Sequence, residues 1–414
     1  MAGKVPTMAS ALLLNWAIAV PAGAQLATPG LGAELADAPG RDIYAASCAN
    51  CHGLDGTGLD RSLVAFEEEL PDFTDCDFAA REPDADWIAV AHEGGPTRGF
   101  SEMMPAFRGA LTEEQLTRVM SYIRTLCTDA NWPRGELNLP RPLLTEKAYP
   151  EDEWVVEGDG DIEGGDAITS AFVYEYRFGP RSQVEVVIPY GWRRGATGSG
   201  VHHDAGGSDH DRYLHVGRDG DDDRDHSDED RTRGERWSHG LGDVVVGLKH
   251  ALFHSIESGT ILSLGGEVIL PTGEAGAGLG APGSALEPFM SFGQILPGDA
   301  FLQGQAGIEV PLYEDGGTEG FGRLVLGATR TEGTWGRAWS PMLEVQARRD
   351  FSSGAETLVD LVPQLQVSLN TRQHVLANVG VLVPVGETSG AERPIRLIAY
   401  VLLDWFDGGF FEGW

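Results

Sequence analysis

The chain has 414 residues and a formal net charge of -33 at pH 7, because 63 Asp and Glu residues outnumber 30 Lys and Arg residues. The length favours two or more domains, and the negative charge makes nucleic acid an unsuitable partner. The sequence has no run of 18 consecutive apolar residues, so no transmembrane helix is predicted. A transmembrane β-barrel stays compatible with this composition, because its signal is spread over short alternating segments.

The N-terminus is typical of an export signal. Lys4 supplies positive charge before an apolar stretch around residues 12–14, and Ala22-Gly23-Ala24 fits a cleavage site. These features predict a signal peptide over residues 1–24 and a linker over residues 25–40. Export would place the four cysteines of the chain in an oxidising compartment.

A C-x-x-C-H motif is formed by Cys48, Cys51 and His52. Two thiols three positions apart on one helical turn can each form a thioether with a haem vinyl group, and the adjacent histidine can ligate the iron. The motif therefore predicts one covalently attached haem c. The alternative is a zinc half-site or a redox C-x-x-C, but a zinc site would need a second Cys/His pair at ligand spacing, and none is evident.

Helical patterns surround this motif. Residues 41–52 and 83–92 each have an apolar side, and a third helix begins at Thr112, where Gln115 would complete a capping box. Cys76 and Cys127 remain as an even pair in an exported domain, which favours a disulfide over two free buried thiols. We therefore predict a small all-α domain over residues 41–130.

This domain resembles the class I c-type cytochromes in the order and spacing of its motifs. The C-x-x-C-H ends the first helix, a Met-Pro-x-Phe loop at Met104 follows, and the helix after Thr112 comes last. The resemblance implies that His52 is the proximal iron ligand and Met104 the distal one, with Met103 as the alternative. His92 is a competing candidate for an axial iron ligand, although a surface histidine is the simpler interpretation. Two axial ligands would leave no open iron position, so we expect electron transfer and no catalytic residue.

After a linker over residues 131–160, the pattern changes to alternation of apolar and polar residues over residues 161–414. Between residues 172 and 178, for example, four aromatic residues alternate with polar ones that include Glu175 and Arg177. We count about twelve such segments, each near the length that crosses a membrane when tilted. Aromatic residues near strand ends and the terminal Trp414 favour an antiparallel transmembrane β-barrel over a soluble all-β fold.

The segments around Tyr174–Tyr190, Gly240–Lys249 and Gly266–Gly273 resemble outer-membrane proteins of the phenol meta-pathway transporter family, which implies a fold and a membrane but no substrate. Residues 193–239 lie between strands and are rich in His and Asp. Their composition predicts a flexible, solvated loop. One interpretation is that it collects extracellular metal ions such as iron, and the simpler one is a charged surface loop.

In its arrangement, the chain resembles the fused porin–cytochromes of bacterial extracellular electron transfer. That resemblance implies an outer-membrane protein that passes electrons between a periplasmic electron-transfer protein and the barrel or the extracellular side, with membrane lipid as a further partner. A lumen of twelve strands is too small for the helical domain, so we expect this domain at the periplasmic mouth. The alternatives are a transporter of small, for instance aromatic, solutes with an appended redox domain, and a soluble periplasmic redox enzyme. Whether the chain oxidises or reduces extracellular metal is left open.

Overall fold

The computed structural model describes residues 35–60, 62–63, 70–162, 167–194, 237–275, 278–314, 316–386 and 393–414. The predicted signal peptide, most of the linker over residues 25–40 and residues 195–236 of the His- and Asp-rich segment lie outside the described residues. The ends of that segment belong to strands, since one strand continues to Arg194 and the next begins at Trp237.

The described residues of the N-terminal region form five α-helices: α1 Gly40–Ser47, α2 Ala49–His52, α3 Cys76–Ala79, α4 Asp84–Glu93 and α5 Glu113–Ile123. The predicted capping box at the start of α5 is confirmed, with Thr112 and Gln115 each bonding the other's backbone N–H. Helix α1 packs on α5 through an apolar core that includes Ile43, Tyr44 and Leu116. In the part of the chain that the structure describes, no helix is long and apolar enough to cross a membrane.

The predicted disulfide between Cys76 and Cys127 is confirmed. It joins the start of α3 to the chain that follows α5. Closing a loop of 51 residues removes conformations from the unfolded chain, which in the chain-entropy model stabilises the fold by about 4 kcal/mol.

The remainder of the chain is an antiparallel sheet that closes on itself. Its segments are β1 Glu153–Asp161, β2 Ala167–Phe178, β3 Ser182–Arg194, β4 Trp237–Leu241, β5 Val244–Ser255, β6 Thr260–Leu270, β7 Ala285–Leu296, β8 Ala300–Pro311, β9 Glu319–Ala328, β10 Arg330–Thr331, β11 Ala338–Asp350, β12 Leu358–Ser368, β13 Val375–Val385 and β14 Arg396–Asp404. Both β4 and β5 pair with β3, and both β9 and β10 pair with β11, so each couple forms one interrupted strand. The described segments therefore form twelve barrel strands, and pairing of β1 with β14 closes the ring.

The barrel begins earlier than the sequence analysis expected, at Glu153 within the predicted linker of residues 131–160. Strand β1 was missed because Gly158 and Gly160 take the places of apolar side chains, and acidic residues occupy most of the other face. Strand β1 is held by backbone pairing on both sides, with β14 and with β2.

The barrel has apolar side chains outside, and inside it has polar side chains together with one buried apolar cluster. As the alternation predicted, Glu175 and Arg177 are buried in the lumen, whereas Tyr174 and Tyr176 point outward with 40% and 45% of their surface exposed. Other buried polar residues on the strands are Gln183, Lys249, Gln305, Arg323, Glu344 and Gln364. Other exposed apolar residues are Ile188, Leu248, Leu264, Met290, Leu326 and Leu397. This arrangement is the reverse of a water-soluble fold.

The two ends of the barrel differ. One end carries short turns such as residues 179–181, 256–259 and 297–299, together with the start of β1 and the end of β14; we call it the short-turn end. At the other end, which we call the long-loop end, the strand ends are farther apart in sequence, for example Arg194 and Trp237, and Leu270 and Ala285. The helical domain lies against the short-turn end, where Arg98 and Arg372 link the two parts.

Residues 137–152, which we call the plug segment, lie inside the barrel and do not bridge the two parts as an extended linker. Leu137, Ala148 and Tyr149 form a buried cluster with Ala251 and Ile261 of the wall. Leu143 packs with Val155, Val173 and Val362 in the main barrel cluster. The segment enters from the short-turn end, reaches the middle of the strands near residues 143–146 and returns to begin β1.

Candidate functional site

The C-x-x-C-H motif occupies one helical turn at the junction of α1 and α2. The backbone N–H groups of Cys51 and His52 both donate to the Cys48 carbonyl, at 3.2 and 3.0 Å. Cys48 and Cys51 are free thiols and are half-buried. Burial raises the pKa of the Cys48 thiol to about 11, with the nearby Cys51 as a second cause, so the thiol is protonated at neutral pH.

The His52 side chain is fixed in place by its neighbours. Its ring stacks on Phe73 at 5.0 Å between centroids, and the Tyr44 hydroxyl donates to the backbone oxygens of His52 and Gly53. Burial lowers the pKa of His52 to about 4, so the imidazole is neutral, as a metal ligand must be. Its Nδ1 is buried and has no hydrogen-bond partner among the described residues. Two free thiols and a neutral imidazole on one turn fit a covalently attached haem.

The two methionines of the following loop have different environments. Met104 is half-buried and packs on the apolar core of the helical domain, together with Cys48, whereas Met103 is 55% exposed. The loop is tied down because Gly95 N–H donates to the Met104 carbonyl at 3.0 Å and Met104 N–H donates to Ser101 at 3.2 Å. A Cβ at Gly95 would lie 2.2 Å from the Ser101 oxygen, so this close approach requires glycine.

His92, the competing ligand candidate, is engaged elsewhere. It lies in the last turn of α4, where its Nδ1 is 2.9 Å from Glu93 Oε1. Its ring lies 5.9 Å from that of Trp335, which belongs to the barrel turn between β10 and β11. The histidine therefore faces the barrel.

Among the described residues, three arginines connect the helical domain to the barrel. Arg98 donates to the Trp335 carbonyl at 2.6 Å, and Arg372 donates to the Gly99 carbonyl at 2.9 Å. The Arg372 guanidinium also lies 4.5 Å from the Phe100 ring. Arg81 pairs with Asp152 and lies 4.0 Å over the Phe406 ring. Sequence analysis did not find this interface, because arginines without a nearby partner in sequence are common on any surface.

The plug segment satisfies its backbone polar groups with lumen side chains. Leu143 N–H donates to Gln364 at 3.0 Å, Leu144 N–H to Glu344 at 3.2 Å, and Glu146 N–H to Gln305 at 2.9 Å. Burying a backbone N–H or C=O group without a partner would destabilise the fold. The polar side chains in the middle of the strands supply these partners and thereby hold residues 143–146 of the plug segment inside the lumen.

Ion pairs also fix the plug segment to the wall. Arg141 Nη1 contacts Glu153 at 2.6 Å and Glu175 at 2.7 Å, and Lys249 Nζ contacts Glu146 at 2.6 Å. Lys147 pairs with Glu151 within the segment. The alternating strands predicted polar residues in the lumen, but nothing in the sequence indicated that these residues bind the chain's own linker.

Residues 36–123 match the family described as cytochrome C oxidase, cbb3-type, subunit III. No curated protein sequence matches the chain significantly. Among solved structures, an outer membrane channel from Pseudomonas putida F1 is similar with 11% identity and a TM-score of 0.42, covering 64% of this chain and 98% of the channel. The NanC porin (7% identity, TM-score 0.37) and the KdgM porin (6%, 0.34) each cover 61% of this chain, and 98% and 99% of their own chains.

The fold and the motif together define the class of protein. The chain has a cytochrome c-type domain, which implies haem binding, followed by a closed antiparallel barrel of twelve strands in the described residues. The predicted fold class is thus confirmed.

Proposed function

We propose that this chain is an outer-membrane electron-transfer protein with a single haem c, held by Cys48, Cys51, His52 and Met104 on the periplasmic side. The observation that carries the proposal is a cytochrome c-type domain attached to one end of a barrel with an apolar exterior. When bound, haem supplies reversible one-electron chemistry.

The residues of the domain suit a carrier. Cys48 and Cys51 are positioned to form two thioethers, which would fix the group covalently. His52 and Met104 would hold the iron of the group, and the Met104 loop packs tightly against Gly95 and Ser101. A domain that holds haem with these four residues would accept and donate single electrons.

The barrel is suited to a bilayer. A strand of about twelve residues, tilted by roughly 40°, rises about 30 Å along the barrel axis, which is the thickness of the hydrocarbon core. Aromatic side chains lie near both ends: Tyr190 and Trp192 contact each other toward the long-loop end, and Trp405 stacks on Tyr174 and Tyr176 at the short-turn end. Aromatic girdles at these heights are typical of outer-membrane barrels.

The orientation follows from loop length. Outer-membrane barrels have short periplasmic turns and longer extracellular loops, so we assign the short-turn end, and with it the helical domain, to the periplasm. Because the plug segment occupies the lumen, we infer that electrons are exchanged with a periplasmic electron-transfer protein and that the barrel holds the domain at the membrane.

The test uses the full-length holoprotein in liposomes whose orientation is established by protease access. A small reduced cytochrome, which cannot cross the bilayer, is added outside vesicles that expose either the short-turn or the long-loop end. We expect rapid reduction of the haem only from the short-turn end. Equal reduction from the long-loop end would overturn the membrane-anchor version and support electron passage through the barrel.

A transporter is the second candidate, because the strands line the lumen with polar residues such as Gln303, Arg323 and Gln346. Entry of a solute would require the plug segment to move. Swelling of liposomes in small solutes, equal for wild type and Met104→Ala, would support this candidate. Vesicles that stay impermeable would exclude it.

A further inference from the structure

We propose that Arg372, in the barrel turn between β12 and β13, is a positioning residue that holds the loop of Met104 closed against the helical domain. This role rests on the proposed function, which takes Met104 as an iron ligand. A turn of the barrel, in addition to the helical domain itself, would then determine how firmly the distal ligand is held.

The loop in question covers residues 95–104, and we call it the methionine loop. Gly95 N–H donates to the Met104 carbonyl and Phe100 N–H donates to the Gly95 carbonyl, both at 3.0 Å. The outer part of the loop is exposed, with 44% of Phe100 and 55% of Met103 open to solvent. Opening a partly exposed segment costs less free energy than opening a packed helix, so additional contacts at this outer part help to keep the loop closed.

Arg372 contacts the outer part of the methionine loop from the barrel. Its Nη2 donates to the Gly99 carbonyl at 2.9 Å, and its Nε donates to the Arg98 carbonyl at 3.4 Å. The centre of its guanidinium lies 4.5 Å from the centroid of the Phe100 ring. Charged donors make stronger hydrogen bonds than neutral ones, and a cation over an aromatic ring is attracted to it. The loop would lose these contacts if it opened away from the barrel.

The backbone of Gly99 allows this close approach. Gly99 has a φ of +70°, and a Cβ on it would lie 2.6 Å from the Gly413 Cα. Both the left-handed conformation and the short distance require glycine. The methionine loop and the C-terminal segment therefore meet backbone to backbone beside Arg372.

Arg372 is itself fixed by the C-terminal segment. Its Nη1 donates to the Asp407 carbonyl at 2.6 Å and pairs with Glu412 at 2.7 Å, and only 12% of its side chain is exposed. A guanidinium presents its N–H groups in a rigid planar fork. Holding Nη1 on the C-terminal segment therefore orients Nη2 toward the Gly99 carbonyl.

The effect on Met104 is separable from docking of the helical domain. Met104 can leave the core only if the methionine loop opens, and losing contacts that only the closed loop makes raises the population of the open loop. Without Arg372, the docking contacts of Arg98 and Arg81 would remain. The domain would stay on the barrel while Met104 is held less firmly.

Imidazole titration of the oxidised, full-length holoprotein in detergent, followed by haem absorbance, tests the proposal. Imidazole competes with Met104 for the iron, so the half-saturating concentration measures how firmly the loop is closed. We expect this concentration to be about tenfold lower in Arg372→Ala, because hydrogen bonds from a charged donor are lost. Arg81→Ala is the matched control, since Arg81 contacts Asp152 and Phe406 at the same interface but not the methionine loop. It should bind imidazole as the wild type does.

A second variant alters the loop side of the contact. Phe100→Ala removes the ring under the guanidinium at a half-exposed position, and we expect a roughly two- to fivefold lower imidazole concentration. Folding of the barrel in each variant is checked by its heat-dependent gel shift. Phe100→Ala decides the question if Arg372→Ala does not fold.

The proposal is overturned if the folded Arg372→Ala protein, or Phe100→Ala in its place, needs as much imidazole as the wild type. It is also overturned if Arg81→Ala lowers the concentration as much as Arg372→Ala, because docking alone would then control the loop. The spectrum of Met104→Ala separates these results from failure of the proposed function. If that spectrum equals the wild-type one, the ligation by Met104 is wrong and the role of Arg372 falls with it.

Discussion

Met103 and Met104 are adjacent in sequence, yet only Met104 packs on the core that contains Cys48, while Met103 is 55% exposed. Sequence reasoning chose Met104 because it directly precedes Pro105, and the burial of its side chain supports the same choice. Which of the two methionines is buried depends on the direction of their side chains in one tight loop. The spacing of motifs in the sequence does not determine that direction.

Replacing Met104 by Ala should remove the distal thioether. We expect loss of the six-coordinate low-spin spectrum and a lower reduction potential, since Met/His ligation raises the potential relative to other ligand sets. Absorption spectroscopy and a redox titration of the full-length protein measure both. Met103→Ala is the control and should change neither, because its side chain lies largely in solvent. If Met103→Ala gave the spectral change instead, the ligand assignment would be reversed.

Helices and strands were predictable where the apolar period was regular. Helix α5 has apolar residues at helical spacing and a capping box, and β2 alternates over its full length, so both patterns identify their elements. Strand β1 and the plug segment were not predictable, because their stability depends on partners distant in sequence. Leu143, for example, needs Gln364 for its backbone and Val362 for its side chain. The haem motif is local and could be predicted from the sequence, whereas the ion pairs of Arg141 and Lys249 with lumen glutamates could not.

The plug segment depends on Arg141, which contacts Glu153 and Glu175 through its guanidinium and the Tyr400 hydroxyl and Asn378 amide through its carbonyl. Changing it to Ala would leave two buried carboxylates without their cation, so we expect a loss of about 3–5 kcal/mol in stability. We also expect larger ionic conductance in planar bilayers, as the plug segment loosens.

Arg330→Ala is the control for that experiment. Arg330 is 63% exposed in a weak 3.7 Å pair with Asp299 at the short-turn end, and exposed pairs of this kind contribute about 0–1 kcal/mol. Thermal unfolding and single-channel recording compare the variants. Equal stability and conductance in the two variants would show that the ion pairs of Arg141 do not hold the plug segment.

The helical domain and the barrel are joined by contacts that the haem motif and the strand pattern do not reveal. The Gly95–Met104 region contacts the barrel turns through Arg98 and Arg372. The chain just after α3 contacts the Phe406 ring through Arg81. The C-terminal residues take part as well, since the Gly413 carbonyl accepts from Thr371 N–H, and a Cβ at Gly99 would lie 2.6 Å from the Gly413 Cα. Trp414 thus lies beyond the end of β14 and next to the domain interface.

The same interface contains two acidic side chains in contact, Glu82 of the helical domain and Asp407 of the C-terminal segment. Burial, with the repulsion of Asp407 as the next cause, raises the pKa of Glu82 well above its ordinary value. Burial also raises the pKa of Asp407 to about 6, with partly opposing contributions from its neighbours. The other charged groups that face this pair are Arg81, Asp86, Arg372 and Asp404.

Because both pKa values are raised in the folded protein, the protonated carboxyls favour the docked state. Their stabilisation is complete below the ordinary pKa of about 4 and is lost as the pH rises through about 6 for Asp407, and the raised pKa of Glu82 acts in the same direction. We therefore expect the thermal midpoint of the domain, followed by haem absorbance, to fall between pH 5 and pH 7. Asp407→Asn, which stays neutral, should make this slope shallower, whereas Asp299→Asn, at an exposed turn, should leave it unchanged. An identical slope in wild type and Asp407→Asn would mean that this acidic pair does not control docking, and that the arginine contacts alone fix the domain to the barrel.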